Sequence, residues 1–165
     1  PFSTNPGRRP VVLGRGEFPL VLGGDCSILL GTLLGAARRG RAGLAFVDGH
    51  IDFYPPENTQ WDGVGAASEL AFAAGRGPAL LTDLGIGRPL VRDDDLAAVG
   101  FRDQANQEKY GRSLPSASFA ASRQDVREHG AAAVASRVIE RLTRANGPGG
   151  YFVHMDSGDV RTWGA

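Results

Sequence analysis

Apolar and polar positions along this chain fall into short blocks that read alternately as strands and helices. Phe18-Pro19-Leu20-Val21-Leu22, closed by Gly23-Gly24, predicts a buried strand and a tight turn. From Ile28 to Arg39, the residues Ile28, Leu29, Leu33 and Ala36 recur at helical spacing; Ser27 or Asp25 is placed to cap the start and Gly40 to end it. Gly43 to Val47 is a second apolar run, so residues 18–47 predict a strand–helix–strand unit.

Phe53 to Gly65, with Pro55-Pro56 and Trp61, predicts a long polar loop, a kind that is commonly functional. Short helices are expected over Ala66 to Ala74, Pro78 to Leu84 and Arg102 to Tyr110, with a strand from Leu96 to Phe101. Ser116 to Ala121 fits neither period. Gln124 to Ala145 predicts one helix with an apolar stripe of Val126, Ala131, Val134, Val138, Ile139 and Leu142. Gly147-Pro148-Gly149-Gly150 breaks it, and Tyr151 to Asp156 is the last predicted strand. Pro1 to Arg9 reads as coil. The alternation predicts an α/β fold, a doubly wound and mostly parallel sheet with helices on both faces.

Composition adds boundaries. A length of 165 residues suits one domain spanning 1–165, and 42% hydrophobic with 22% charged residues supports an ordinary core. With 18 basic and 18 acidic residues the net charge is +0, which argues against nucleic acid or a membrane surface as partner. A lone cysteine, Cys26, forms no intrachain disulfide and points to a reducing compartment, hence the cytoplasm. Met155 is the only methionine, and the chain stops at Ala165 soon after the last strand. Both features predict a fragment of a longer protein, with sheet edges and apolar faces prone to self-association.

The chemistry lies at strand ends. Asp48-Gly49-His50-Ile51-Asp52 follows Leu44-Ala45-Phe46-Val47 directly, and alternate residues of an extended chain point to one side. Two carboxylates and an imidazole are thereby aimed at one spot, where open α/β sheets place their sites. Asp25-Cys26 ends the first predicted strand, and His154, Met155, Asp156 and Asp159 follow from the last. Such oxygen-rich sets suit Mn²⁺, Mg²⁺ or Zn²⁺. The competing reading makes the same residues caps and loop ligands.

Gly23-Gly24-Asp25-Cys26-Ser27, Asp48-Gly49-His50-Ile51-Asp52 and His154-Met155-Asp156-Ser157-Gly158-Asp159 resemble, in order, the three metal-binding blocks of the ureohydrolase family of arginase, agmatinase and formimidoylglutamase. The resemblance spans about Glu17 to Asp159. It implies a three-layer α/β/α fold, incomplete relative to the family, with a binuclear manganese centre. There a metal-bridging hydroxide attacks a linear amidine or guanidino carbon. Asp48, His50, Asp52 and Asp156 stand at ligand positions, Asp48 and Asp156 at the bridging ones. The resemblance makes His50 and Asp52 the catalytic pair and places Asp25 beside the ligands; His154, where the family usually has serine, shares the strand face of Asp156 and reads as a partner of the ligands or as a core residue.

Three positions depart from the family pattern. Cys26 stands where the family has its first histidine ligand, so Zn²⁺ or Fe²⁺ competes with Mn²⁺; its other reading is a small buried residue. Asp159 is one residue beyond the family's last aspartate, where Gly158 stands, and a bulge is needed to return it to the site. The family has a histidine shortly after the second block, and none stands there in this chain; Glu57 and Asp62 are loop acids within reach of a cationic substrate, or simply solvated, and His129 reads as a solvated helix residue. The alternative to an enzyme is a divergent or truncated homologue that keeps the fold and binds metal weakly or not at all.

Overall fold

A computed structural model describes residues 15–23, 26–54, 67–87 and 89–156. The elements are α1 (Ile28–Ala37), β1 (Gly43–Val47), α2 (Glu69–Ala73), α3 (Ala79–Thr82), β2 (Leu96–Val99), α4 (Gln104–Lys109), β3 (Phe119–Ala121), α5 (Arg123–His129), α6 (Ala131–Leu142) and β4 (Tyr151–Met155). The four strands form one sheet in the order β3-β2-β1-β4, and every neighbouring pair is parallel.

Strand alternation splits the core into two layers. Leu44 and Phe46 of β1, with Leu96 and Ala98 of β2, pack against Leu29 and Leu33 of α1 and Leu70 of α2. Ala45 and Ala97 face the other way, onto Val138 and Leu142 of α6. Each helix supplies a narrow buried stripe: Leu29, Leu33 and Ala36 on α1, and Val134, Val138 and Leu142 on α6. Full burial of each such leucine contributes about 2 kcal/mol. Gly43 opens β1 because a Cβ there would meet Pro148 Cγ at 2.9 Å and Tyr151 Cβ at 3.1 Å.

The starts of β1 and β2 are joined by charge. Asp93–Asp95 forms a 3₁₀ turn before β2, and the fully buried Asp95 is gripped by Arg41 at 2.5 Å and by Arg144 at 2.8 Å. Arg76 pairs with Asp93 at 2.7 Å, tying the segment just after α2 to the same turn.

Two sequence expectations are corrected. Phe18 to Leu22 is irregular rather than a strand, with Phe18 91% and Leu22 85% exposed. Pro19, which has no amide hydrogen, interrupts the row of donors that a ladder needs. The expected single helix over Gln124 to Ala145 is two helices, α5 and α6, separated at Gly130 with φ 82° and ψ 144°. That backbone conformation lies outside the helical region and ends one ladder before the next begins. Ser116 to Ala121 contains the short edge strand β3, and the remaining expected elements are present within a few residues of their predicted ends.

Candidate metal centre

Register places the site. Phe46 of β1 is opposite His154 of β4, and the Asp156 amide donates to the Val47 carbonyl at 3.1 Å. Asp48 and Asp156 therefore leave adjacent parallel strands side by side, on the same face as Phe46 and His154. The His154 ring stacks on Phe46 with centroids 5.0 Å apart and planes 6° from parallel. Cys26, two residues before α1, completes this side: its Sγ lies 3.2 Å from Asp156 Oδ2 and 3.9 Å from Asp48 Oδ2. Donor atoms of Cys26, Asp48 and His154 all lie within 4.8 Å of one another.

The segment after β1 is tied down at several points. The His50 amide donates to Asp48 Oδ1 at 2.9 Å, and the Arg102 amide to the Gly49 carbonyl at 2.9 Å. Asp103 accepts from the Tyr54 hydroxyl at 2.9 Å and from the Ile51 amide at 3.3 Å. Asp52 adopts φ 43°, a left-handed conformation uncommon for a residue with a side chain, and such conformations concentrate at functional sites. Its carbonyl accepts from the Leu70 and Ala71 amides at 3.2 and 3.4 Å, docking α2 on this turn.

That docking brings in Glu69, which the sequence motifs do not single out. Its side chain is fully buried, and neither carboxyl oxygen has a hydrogen-bond partner. Cys26, Asp52 and Glu69 form a second group whose donor atoms lie within 4.8 Å of one another. The signal available in the sequence was an acid leading an otherwise apolar helix, Glu69-Leu70-Ala71-Phe72-Ala73.

The electrostatics follow from crowding acids away from water. Burial, then the Glu69 and Asp52 carboxylates, push the Cys26 thiol far up. Burial and the neighbouring Asp48 raise Asp52, while burial and Asp52 raise Glu69 well beyond the usual carboxyl range. Burial also raises Asp48, against the opposing pull of the His50 amide. His154 is lowered by burial, partly offset by Asp48 and Asp156, and its Nε2 has no partner. Orphaned buried carboxyl and imidazole atoms facing a thiol and further carboxylates fit a divalent cation, which would supply the missing positive charge.

Of the residues expected at the site, Cys26, Asp48, Asp52, His154 and Asp156 converge. His50 is beside Asp48, with Nδ1 3.8 Å from Oδ1, but its side chain is 51% exposed and it belongs to neither compact group. Asp25, Glu57, Asp62, Gly158 and Asp159 lie outside the described residues, as do most of the 53–65 loop and the Pro1–Arg9 segment. His129 is exposed at the end of α5, as expected.

Carboxylate, thiol and imidazole groups thus gather at the strand ends of a parallel α/β domain. The arginase family model matches residues 10–159, and the chain belongs to that family. Arginase of Bacillus caldovelox is 38% identical over 99 residues, covering 59% of this chain and 33% of that protein. The crystal structure of arginase from Bacillus cereus superposes with a TM-score of 0.73 at 27% identity, covering 89% of this chain and 50% of that one. Entamoeba histolytica arginase, solved with L-ornithine, gives 0.65 at 25% identity, over 82% of this chain and 45% of that one. The chain thus spans about a third to a half of the length of these relatives. Among the described residues, no helix is long and apolar enough to cross a membrane.

Proposed function

We propose that this chain carries the metal-binding half of an arginase-type hydrolase that cleaves a C–N bond of a linear amidine or guanidino compound. The observation supporting this reading is the convergence of Cys26, Asp48, Asp52, His154 and Asp156 at one end of the sheet. Asp48, Asp156, Cys26 and His50 would hold the cations. Asp52 would hold a cation and orient the attacking water. Two Mn²⁺ follow from the family resemblance; Cys26 favours Zn²⁺ or Fe²⁺ at its own position. When bound, such cations supply the charge that makes water acidic near neutral pH. The ornithine in the Entamoeba arginase structure supports a small amino-acid-like substrate.

The single reduced cysteine supports the cytoplasm as its location. Association of copies is supported by the uncovered sheet face of the edge strand β4, where Val153 is 59% and Met155 67% exposed.

Metal analysis of the purified protein beside Asp48→Ala tests the site, and urea or ammonia release from a panel of guanidino compounds tests the chemistry. Bound metal in the parent, reduced in Asp48→Ala, and turnover of one guanidino compound are expected. A parent protein that holds no metal and releases no product favours the non-catalytic homologue instead.

A further inference from the structure

We infer that Glu69 is itself a metal ligand, and that Cys26, Asp52 and Glu69 form a three-donor site for a sulfur-seeking divalent cation of the Zn²⁺ or Co²⁺ class. The inference rests on the reading above that these strand ends hold a cation, and it assigns a ligand that none of the three sequence blocks contains.

Glu69 is the first residue of α2, and every residue of that helix is buried. A glutamate in such a helix ordinarily reaches water or a donor. Glu69 does neither: it is 0% exposed and both oxygens lack a hydrogen-bond partner. Among the described residues no ion pair reaches it either. What its carboxyl meets is the Cys26 sulfur and the Asp52 carboxylate, within 4.8 Å. Two acids and a thiol brought together out of water repel one another once ionised, and only retained protons or a cation relieve that repulsion. A cation between them reverses the sign of each contact.

The site is also held in shape before anything binds. The positive φ of Asp52 turns its carbonyl onto the Leu70 and Ala71 amides, so α2 and the ligand-bearing turn move as one piece. Cys26 is held to the start of α1, where its carbonyl accepts from the Leu29 amide at 2.9 Å. Sulfur with two carboxylates selects Zn²⁺ or Co²⁺ over Mn²⁺, and three protein donors leave a coordination position open.

The test uses the chelator-stripped chain titrated with Co²⁺, reading sulfur-to-cobalt charge transfer and the visible cobalt bands. Parent protein, Cys26→Ser, Glu69→Gln, Glu69→Asp and Asp48→Ala are compared. The parent is expected to show charge transfer that Cys26→Ser abolishes. Glu69→Gln, which keeps the shape, is expected to lose about 100-fold in Co²⁺ affinity, at least what loss of an outer-shell partner costs. Glu69→Asp should fall between the two, and Zn²⁺ should displace Co²⁺ where Mn²⁺ does not. Parent-like affinity and bands in Glu69→Gln overturn the inference while leaving the metal reading intact. No cobalt binding by the parent removes both. Should Glu69→Gln fail to fold, Glu69→Asp decides: a Co²⁺ affinity clearly below the parent's supports Glu69 as a ligand, and parent-like affinity and bands overturn it.

Discussion

Cys26 Sγ and Asp156 Oδ2 lie 3.2 Å apart although 130 positions separate them in the chain. The contact joins the residue leading into α1 to the end of β4, with Asp48 alongside at 3.9 Å from the same sulfur. The thiol is buried and touches both carboxylates. Cys26→Ala is therefore expected to leave the fold intact while reducing bound Zn²⁺, because free cysteine packs like a small apolar side chain. Circular dichroism and metal analysis of the variant check both halves of that expectation.

The cation-free protein should weaken as pH rises. Burial and Asp52 hold the Glu69 carboxyl far above its unfolded value of 4.5, and burial with Asp48 raises Asp52 above its unfolded 3.8. The native state consequently binds more protons than the unfolded state once pH exceeds the ordinary carboxyl range. Stability is full below that range and is lost progressively through neutral and alkaline pH. Urea denaturation of the chelator-treated protein between pH 5 and pH 9, taken as about the span involved, should show a falling midpoint. Glu69→Gln should flatten the profile.

Ser122 caps α5 with a reciprocal box: its hydroxyl accepts from the Asp125 amide at 3.2 Å, and Asp125 Oδ2 accepts from the Ser122 amide at 2.7 Å. Removing the hydroxyl in Ser122→Ala should cost about 1 kcal/mol. For a chain of this size that is a melting shift of about 2–4 °C, measurable by calorimetry.

Gly130 separates α5 from α6 at φ 82°, with nothing within 4 Å of where a Cβ would stand. Gly130→Ala should therefore destabilise through the backbone alone, by about 1 kcal/mol. A chemical melt of Gly130→Ala in which stability rises would show that the break between the helices is not held by this conformation.

At the opposite end of the sheet from the metal donors, Asp95 is fully buried between Arg41 and Arg144. Asp95→Ala removes the buried acceptor that the two guanidinium groups share and leaves them only the half-exposed Asp94, 2.9 Å from each. Because both arginines are about a quarter exposed, the loss should fall near the low end for broken buried pairs, about 3 kcal/mol. Equilibrium unfolding of Asp95→Ala gives the value directly.

The sequence alone was enough for the parallel α/β class, for strands β1, β2 and β4, and for the convergence of Asp48 with Asp156. These follow from patterns local to each segment: a short apolar run, and a strand end that aims alternate side chains one way. It overran where one local rule competed with another. The apolar stripe spanning Gln124 to Ala145 concealed the break at Gly130, and the apolar character of Phe18 to Leu22 outweighed the interruption at Pro19.

Only the tertiary structure decided which donors share a space. Strand register set His154 on Phe46 beside Asp48, and the Asp52 turn docked α2 so that Glu69 met Cys26. Neither pairing has a sequence signature, because neither depends on spacing along the chain. They depend on how strands align and helices dock, and burial and charge at Glu69 acquire their meaning only once those distant segments are packed together.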